Sequence, residues 1–356
     1  MLKNEYKIIG VMSGTSLDGV DMVYVSFKPE NWEYDTIVSE TVPYKKVWQE
    51  RLSDAVLVSK EQLEELDKDY TSLLGDFILD FIAKNDIQQV DAVCSHGHTV
   101  LHQPDKGITL QIGNRPELAQ TLGRTVVCDF RVQDVTLGGQ GAPLVPIGDR
   151  LLFQDYDHCI NLGGFANISY EKENQRIAFD ICPVNIVMNH YCKSLGLDYD
   201  HGGKIASEGI LNSGLLQELN SLEFYSNSPP KSLGLEWVNA KIIPLIDSYE
   251  LKVKDVLRTF VEHIAIQISA VLMKNGTTLI TGGGAYNDFL ISILQHYTNG
   301  KLVIPSKDII EYKEALIFGL LGVLRMRNEI NCLKSVTGAS KDHSSGMIFH
   351  PENHSN

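Results

Sequence analysis

Two acids, Asp18 and Asp21, stand in a stretch of nearly bare backbone, GVMSGTSLDGVD over residues 10–21. A glycine-rich turn lets backbone N–H groups approach an anion, because no Cβ intervenes. A phosphate chain is a natural occupant, and its charge can be offset by Mg²⁺, whose hydration shell a carboxylate such as Asp18 can hold. Two more glycine turns follow β-like segments, at Gly163–Gly164 and at Gly282, Gly283 and Gly284. Any one of them could be only a tight turn. Three of them, each with small polar neighbours, point to a two-lobed nucleotide-binding protein. The chain contains neither G-x-x-x-x-G-K-[ST] nor a complete G-x-G-x-x-G, which argues against a P-loop or Rossmann site.

Other residues compete for a chemical role. His96, His98 and His102 lie in HGHTVLH, and H-x-H places two rings on one face of a strand, as a metal site needs. With no nearby cysteine and no clear third ligand, the segment reads better as a substrate loop. Ser95, His98 and Thr99 would then hydrogen-bond a polyol. Arg131, in DFRVQD, offers a fork suited to carboxylate or phosphate; a structural ion pair with Asp129 or Asp134 is the plainer alternative. GGQGAPLVP, residues 138–146, could be an oxyanion-type loop or a turn stiffened by Pro143 and Pro146. Asp180 ends an apolar run and is followed by CPVN, so it sits where Pro183 stops a strand. A carboxylate at a strand end over a cleft suits a general base, although an Asx-turn role fits the local sequence equally well.

The elements that must position these groups are legible in outline. Residues 6–11 and 20–27 read as strands joined by a wide glycine turn. Residues 61–84 carry Leu63, Leu66, Tyr70, Leu73, Phe77 and Phe81 at steps of three and four, which predicts an amphipathic helix. Residues 90–99 read as a strand ending in a polar loop, and 125–131 repeat that design. Residues 158–180 read as strand, glycine turn and two further strands. Val256, Phe260, Ile264, Ile268 and Val271 mark a long helix, with Asp255 as its candidate N-cap. A further helix is expected over 308–329, and NSPPKS at 227–232 reads as an exposed loop. Strands alternating with helices, twice over, indicate an α/β protein of two similar lobes with a cleft between them.

Composition limits the partners. The chain has 356 residues and a formal net charge of −14. That charge disfavours non-specific nucleic-acid binding and attachment to an anionic membrane surface. The six cysteines are scattered with no C-x-x-C pair, which argues against a structural zinc site and suits a reducing cytoplasm. The N-terminal residues lack a signal-peptide apolar stretch. The apolar run from Ala315 to Leu324 is too short to span a bilayer.

The motifs IGVMSGTSLDGVD, SHGHT, TLQIGN, DFR…D…GGQGAPLVP, NLGGFANIS, GGGAYN and SVTGAS occur in this order over roughly residues 8–350. Together they resemble the anhydro-N-acetylmuramic acid kinase family, of the acetate and sugar kinase, heat-shock protein and actin superfamily. The resemblance implies two ribonuclease H-like lobes, residues 1–132 and 133–356, around an interlobe ATP and substrate cleft. It implies a kinase that uses ATP and Mg²⁺, opens the 1,6-anhydro ring of 1,6-anhydro-N-acetylmuramic acid with water, and phosphorylates O6. The partners would be these small molecules, with no nucleic acid or membrane and with room for a homodimer. Carried over by position, Gly14, Thr15, Ser16, Leu17, Asp18, Gly19, Val20 and Asp21 form the phosphate-binding segment, with Asp18 toward the metal. Gly163, Gly164, Gly282, Gly283 and Gly284 complete the nucleotide site. Asp180 matches the water-activating aspartate, and Thr99, Arg131 and Glu314 match substrate positions. The family pattern D-T-G-P-x-N is here Asp180-Ile181-Cys182-Pro183-Val184-Asn185, and His98 replaces the usual glutamine. The alternative is a kinase of the same superfamily acting on another sugar or an acyl acid.

Overall fold

The structure is a computed structural model that describes residues 2–14 and 16–352; Thr15 lies outside the described residues. Two sheets organise it. The first contains β1 (Tyr6–Ser13), β2 (Gly19–Lys28), β3 (Glu33–Pro43), β4 (Ala92–Gln103), β5 (Ile108–Ile112), β6 (Val126–Cys128) and β12 (Met347–Phe349). The second contains β7 (His158–Leu162), β8 (Phe165–Lys172), β9 (Gln175–Pro183), β10 (Thr277–Thr281) and β11 (Lys301–Val303).

The two sheets repeat one topology. The first runs β12-β6-β4-β1-β2-β3, with β5 beside β4, and the second runs β11-β10-β7-β8-β9. In each, a three-stranded antiparallel meander is followed by two strands parallel to its first strand. Numbered within each half, the shared order is 3-2-1-4-5, that of the ribonuclease H-like fold. The two glycine-turn hairpins therefore correspond by position in the sheet, although their sequences differ. β1 is buried along nearly its whole length, as expected of a strand covered on both faces.

The chain divides into two compact units, Met1–Leu152 with Tyr312–Asn356, and Phe153–Glu311. The boundary expected at 132/133 thus differs from this division, which also assigns residues 133–152 and 312–356 to the first unit. Backbone packing explains the return. The helix Lys307–Met326 lies so close to β1 that a Cβ on Gly10 would sit 2.0 Å from the Ala315 carbonyl oxygen. Only glycine permits that approach. Gly322 is similarly placed against the Cys94 Sγ of β4.

Helix starts follow local chemistry. Lys60–Lys84 opens with a capping box, in which Ser59 accepts from the Gln62 N–H and the Gln62 side chain accepts from the Ser59 N–H. The long helix of the second unit begins at Val253, one turn before the apolar stripe, and its N-cap is Lys252 rather than Asp255. Asp255 sits inside the first turn and accepts from the Ile210 N–H at 2.7 Å. β4 also exceeds expectation. It continues through SHGHT to Gln103 because β5 pairs with that extension, and its register shifts between Thr99 and Leu101.

Candidate functional site

In the first unit, residues 14–18 link the ends of β1 and β2. Leu17 adopts a left-handed conformation with φ 61°, and its N–H reaches the Gly14 carbonyl at 3.5 Å. Two outside groups hold the loop: Gln49 Nε2 donates to the Leu17 carbonyl at 3.2 Å, and the Tyr44 N–H donates to that of Asp18 at 3.2 Å. Gly19 and Val20 are buried within the hairpin, whereas Ser16 and Asp18 are exposed. Asp21 is half-buried and accepts from Thr41 Oγ1 at 2.6 Å.

A buried polar chain underlies this loop. His98 Nδ1 lies 3.0 Å from Ser13 Oγ, which lies 2.7 Å from the Tyr44 hydroxyl, itself 2.7 Å from that of Tyr70. Burial pushes His98 down to about 4 and raises both tyrosines. The chain is therefore uncharged near neutral pH, and it braces the loop from below. His98 is internal rather than a sugar contact, and Ser95 is equally buried, accepting from the Gly97 N–H. Thr99 alone of the three is half-buried, beside Gln111.

The histidines of HGHTVLH do not gather on a metal. His96 Nδ1 faces the Gly97 carbonyl at 2.9 Å and so carries the proton. Its Nε2 then accepts from Arg131 Nε at 2.8 Å. Burial, reinforced by the Arg131 charge, holds His96 well below its usual range. Arg131 also donates to the Gly141 carbonyl at 2.6 Å and makes no salt bridge with Asp129 or Asp134. The GGQG turn thus serves as an anchor for Arg131. Glu314 is open to solvent, but the protein around its carboxylate raises its pKa, while Arg131 and then Lys313 oppose the shift.

In the second unit, the glycine turns and Asp180 gather at one end of the sheet. β7 ends at Leu162 and β10 at Thr281. Asn185 Nδ2 donates to the Leu162 carbonyl at 3.1 Å, and the backbone of Val184 and Asn185 bonds to Gly164 and Gly163. Gly282, with φ 79°, leaves no space for a Cβ, which would fall 2.3 Å from Asn161 Oδ1. Asp180 Oδ2 accepts from the Leu233 N–H at 2.8 Å, and the Asp180 N–H donates to the Lys231 carbonyl at 3.1 Å. It is therefore held by a segment some fifty residues away rather than by a local Asx turn. Burial raises its pKa, and the Leu233 N–H partly counters this. Ile181 and Cys182, which depart from the family pattern, are buried in the core.

Sequence reasoning missed the Leu233 contact, because NSPPKS reads as an ordinary exposed loop. It also missed Tyr44 and Tyr70, which carry no motif, whereas Asn185 was marked by its fixed place after Pro183.

Two sheets of one ribonuclease H-like topology, each with a glycine turn after its first strand, define an α/β protein built of two such units. The chain belongs to the anhydro-N-acetylmuramic acid kinase family, whose sequence model matches residues 6–351. It is 33% identical over 371 residues to the anhydro-N-acetylmuramic acid kinase of Hahella chejuensis, covering 98% of this chain and 100% of that one. It is 35% identical over 380 residues to that of Haemophilus influenzae, covering 98% of each. The Vibrio cholerae relative is 34% identical over 365 residues, with 97% of this chain and 98% of the relative covered.

Proposed function

We propose that the protein hydrolytically opens the 1,6-anhydro ring of 1,6-anhydro-N-acetylmuramic acid and phosphorylates O6 from ATP. The products are N-acetylmuramic acid 6-phosphate and ADP, in the recycling of peptidoglycan sugar. Family membership over nearly the whole chain gives the reaction class. The observation that carries the mechanism is Asp180, half-buried three residues before the end of β9 at Pro183. One of its oxygens is fixed by Leu233, and Oδ1 has no hydrogen-bond partner among the described residues.

Such a carboxylate is oriented yet has an oxygen available. Burial raises its pKa, which brings it closer to that of an effective base. Asp180 takes a proton from water as the water oxygen bonds to C1, and the C1–O6 bond breaks with its electrons passing to O6. That O6 attacks the γ-phosphorus, the bond to the bridging oxygen of ADP breaks, and Asp180 later releases its proton to solvent. A simple sugar kinase uses a hydroxyl already present and needs no water on carbon.

The glycine turns fit a phosphate chain. Built Cβ atoms at Gly14, Gly164 and Gly283 come no closer than 3.5 Å to any described residue beyond their chain neighbours, so these positions lie open beside their amides. Asp18, exposed and without a side-chain partner among the described residues, would hold Mg²⁺ through its water shell. When bound, Mg²⁺ would offset the phosphate charge. Arg131 would orient the sugar or meet its lactyl carboxylate, and Thr99 and Glu314 would contact the sugar. All six cysteines are buried free thiols, and no described helix is long and apolar enough to cross a membrane; both fit a cytoplasmic enzyme.

The test is Asp180→Asn, which keeps the shape but cannot take the proton. Ring opening and phosphorylation should fail together. An Asp180→Asn enzyme that still phosphorylates the anhydro sugar would overturn the assignment.

A further inference from the structure

Away from the groups assigned above, three potential metal ligands converge inside the first unit. Asp134 Oδ, Cys332 Sγ and a ring nitrogen of His343 all lie within 4.8 Å of one another. The three residues are 0%, 2% and 5% exposed. We propose that Asp134, Cys332 and His343 bind a divalent transition metal, with Zn²⁺ favoured by the donor set, and that this metal fastens the C-terminal segment to the turn anchoring Arg131.

The backbone fixes the geometry first. Cys332 and His343 exchange both N–H···O=C bonds at 3.1 Å, which sets the two side chains beside each other. His343 Nδ1 then faces the Lys341 carbonyl at 3.1 Å. Two acceptors do not face each other at that distance, so Nδ1 carries the hydrogen, and in the neutral ring Nε2 presents a lone pair. That Nε2 is buried without a hydrogen-bond partner, and Asp134 Oδ1 lies 3.5 Å from it. A lone pair aimed at a carboxylate requires a positive charge between them, either a proton or a metal ion.

The third donor favours the metal. A proton on Nε2 would satisfy the imidazole and carboxylate alone, whereas a metal would also engage the adjacent thiol, which otherwise meets Ser345. Thiolate, imidazole and carboxylate together are a zinc-type set, whereas Mg²⁺ prefers oxygen ligands alone. One thiolate and one carboxylate neutralise a divalent ion, so the buried site as a whole carries no net charge. The 3.5 Å between Nε2 and Oδ1 is near the ligand–ligand spacing of about 3.3 Å implied by tetrahedral bonds of about 2.0–2.1 Å. Three protein ligands leave a fourth position for water.

The surrounding contacts are those that orient a ligating group. Thr337 Oγ1 donates to Asp134 Oδ1 at 2.8 Å, and the Gly141 N–H donates to Oδ2 at 2.7 Å. Gly141 also accepts from Arg131 through its carbonyl. The metal would therefore hold the turn on which the Arg131 guanidinium rests. The spacing of cysteines in the sequence hides this site, because the ligands come from positions 134, 332 and 343 and only one of them is a cysteine.

The test uses the full chain, without nucleotide. Protein purified without chelator should contain roughly one zinc per chain by elemental mass spectrometry. After stripping, Zn²⁺ alone should be taken up again and raise the thermal midpoint. Co²⁺ in its place should give a thiolate-to-cobalt charge-transfer band. Cys332→Ser should abolish that band, and His343→Gln, which removes a direct ligand, should weaken zinc binding. Should either variant fail to fold, the cobalt spectrum of the unaltered chain still decides. Stripped wild-type protein that takes up neither metal, or a cobalt form without a thiolate band, would overturn the site.

Discussion

Arg131 Nε donates to His96 Nε2 at 2.8 Å, so a cation is oriented by a neutral ring rather than by an acid. The guanidinium keeps its full charge for a ligand while its plane is fixed by His96 on one nitrogen and Gly141 on another. This is a stronger constraint than the local ion pair with Asp129 or Asp134 that the sequence allows.

Arg131→Lys retains the charge but cannot make both bonds in the same plane. Turnover of the anhydro sugar should fall on the order of 10–100-fold with the fold intact. Arg131→Ala should also lose stability, by ~1–3 kcal/mol, because His96 Nε2 and the Gly141 carbonyl lose their partner. Steady-state kinetics and denaturant unfolding read the two effects separately. Normal turnover by Arg131→Ala would make the residue purely structural.

Gly14→Val tests the phosphate loop at a position with room for a Cβ, since beyond the chain neighbours the nearest described atom is Ser16 Oγ at 3.5 Å. Asp18→Ala removes an exposed carboxylate and should change stability by no more than about 0.5 kcal/mol. Both variants should weaken ATP binding or turnover roughly tenfold or more. Nucleotide titration and turnover at wild-type values in both would remove the loop from the nucleotide site.

Stability should depend on His98 in mild acid. An unfolded histidine titrates near 6.5, whereas burial holds folded His98 at about 4. Between those values the unfolded chain binds the extra proton, so stability falls as pH drops through that window. His98 alone contributes up to ~3 kcal/mol of that loss. In His98→Gln the thermal midpoint should decline less between pH 7 and pH 5 than in the parent. An unchanged slope would show that His98 is not buried neutral beneath the loop.

Local patterns made much of this architecture readable. The helix over 61–84 and the glycine hairpins each follow from period or turn chemistry, which act within a few residues, whereas β9 runs past Asp180 to Pro183. The departures arise from long-range contacts. β4 runs past Thr99 because β5 pairs with it. Residues 312–326 belong to the first unit because Gly10 admits a helix backbone. Asp180 is fixed by Leu233, 53 residues away, and periodicity carries no record of such a partner. The family motifs pointed to Asp180 and Arg131, and SHGHT contained His96 without marking it as the partner of Arg131, but nothing marked Leu233, which orients Asp180.

The most direct measurement follows solvent oxygen through the proposed reaction. The enzyme is incubated with 1,6-anhydro-N-acetylmuramic acid, ATP and Mg²⁺ in H₂¹⁸O, and the product is analysed promptly by mass spectrometry. A reducing-sugar control corrects for exchange at the anomeric carbon. With Asp180 directing water to C1 and O6 attacking the γ-phosphorus, the label must appear on C1 and be absent from the transferred phosphoryl group. Label in that phosphoryl group, or a phosphorylated product with no solvent oxygen on carbon, would contradict the account.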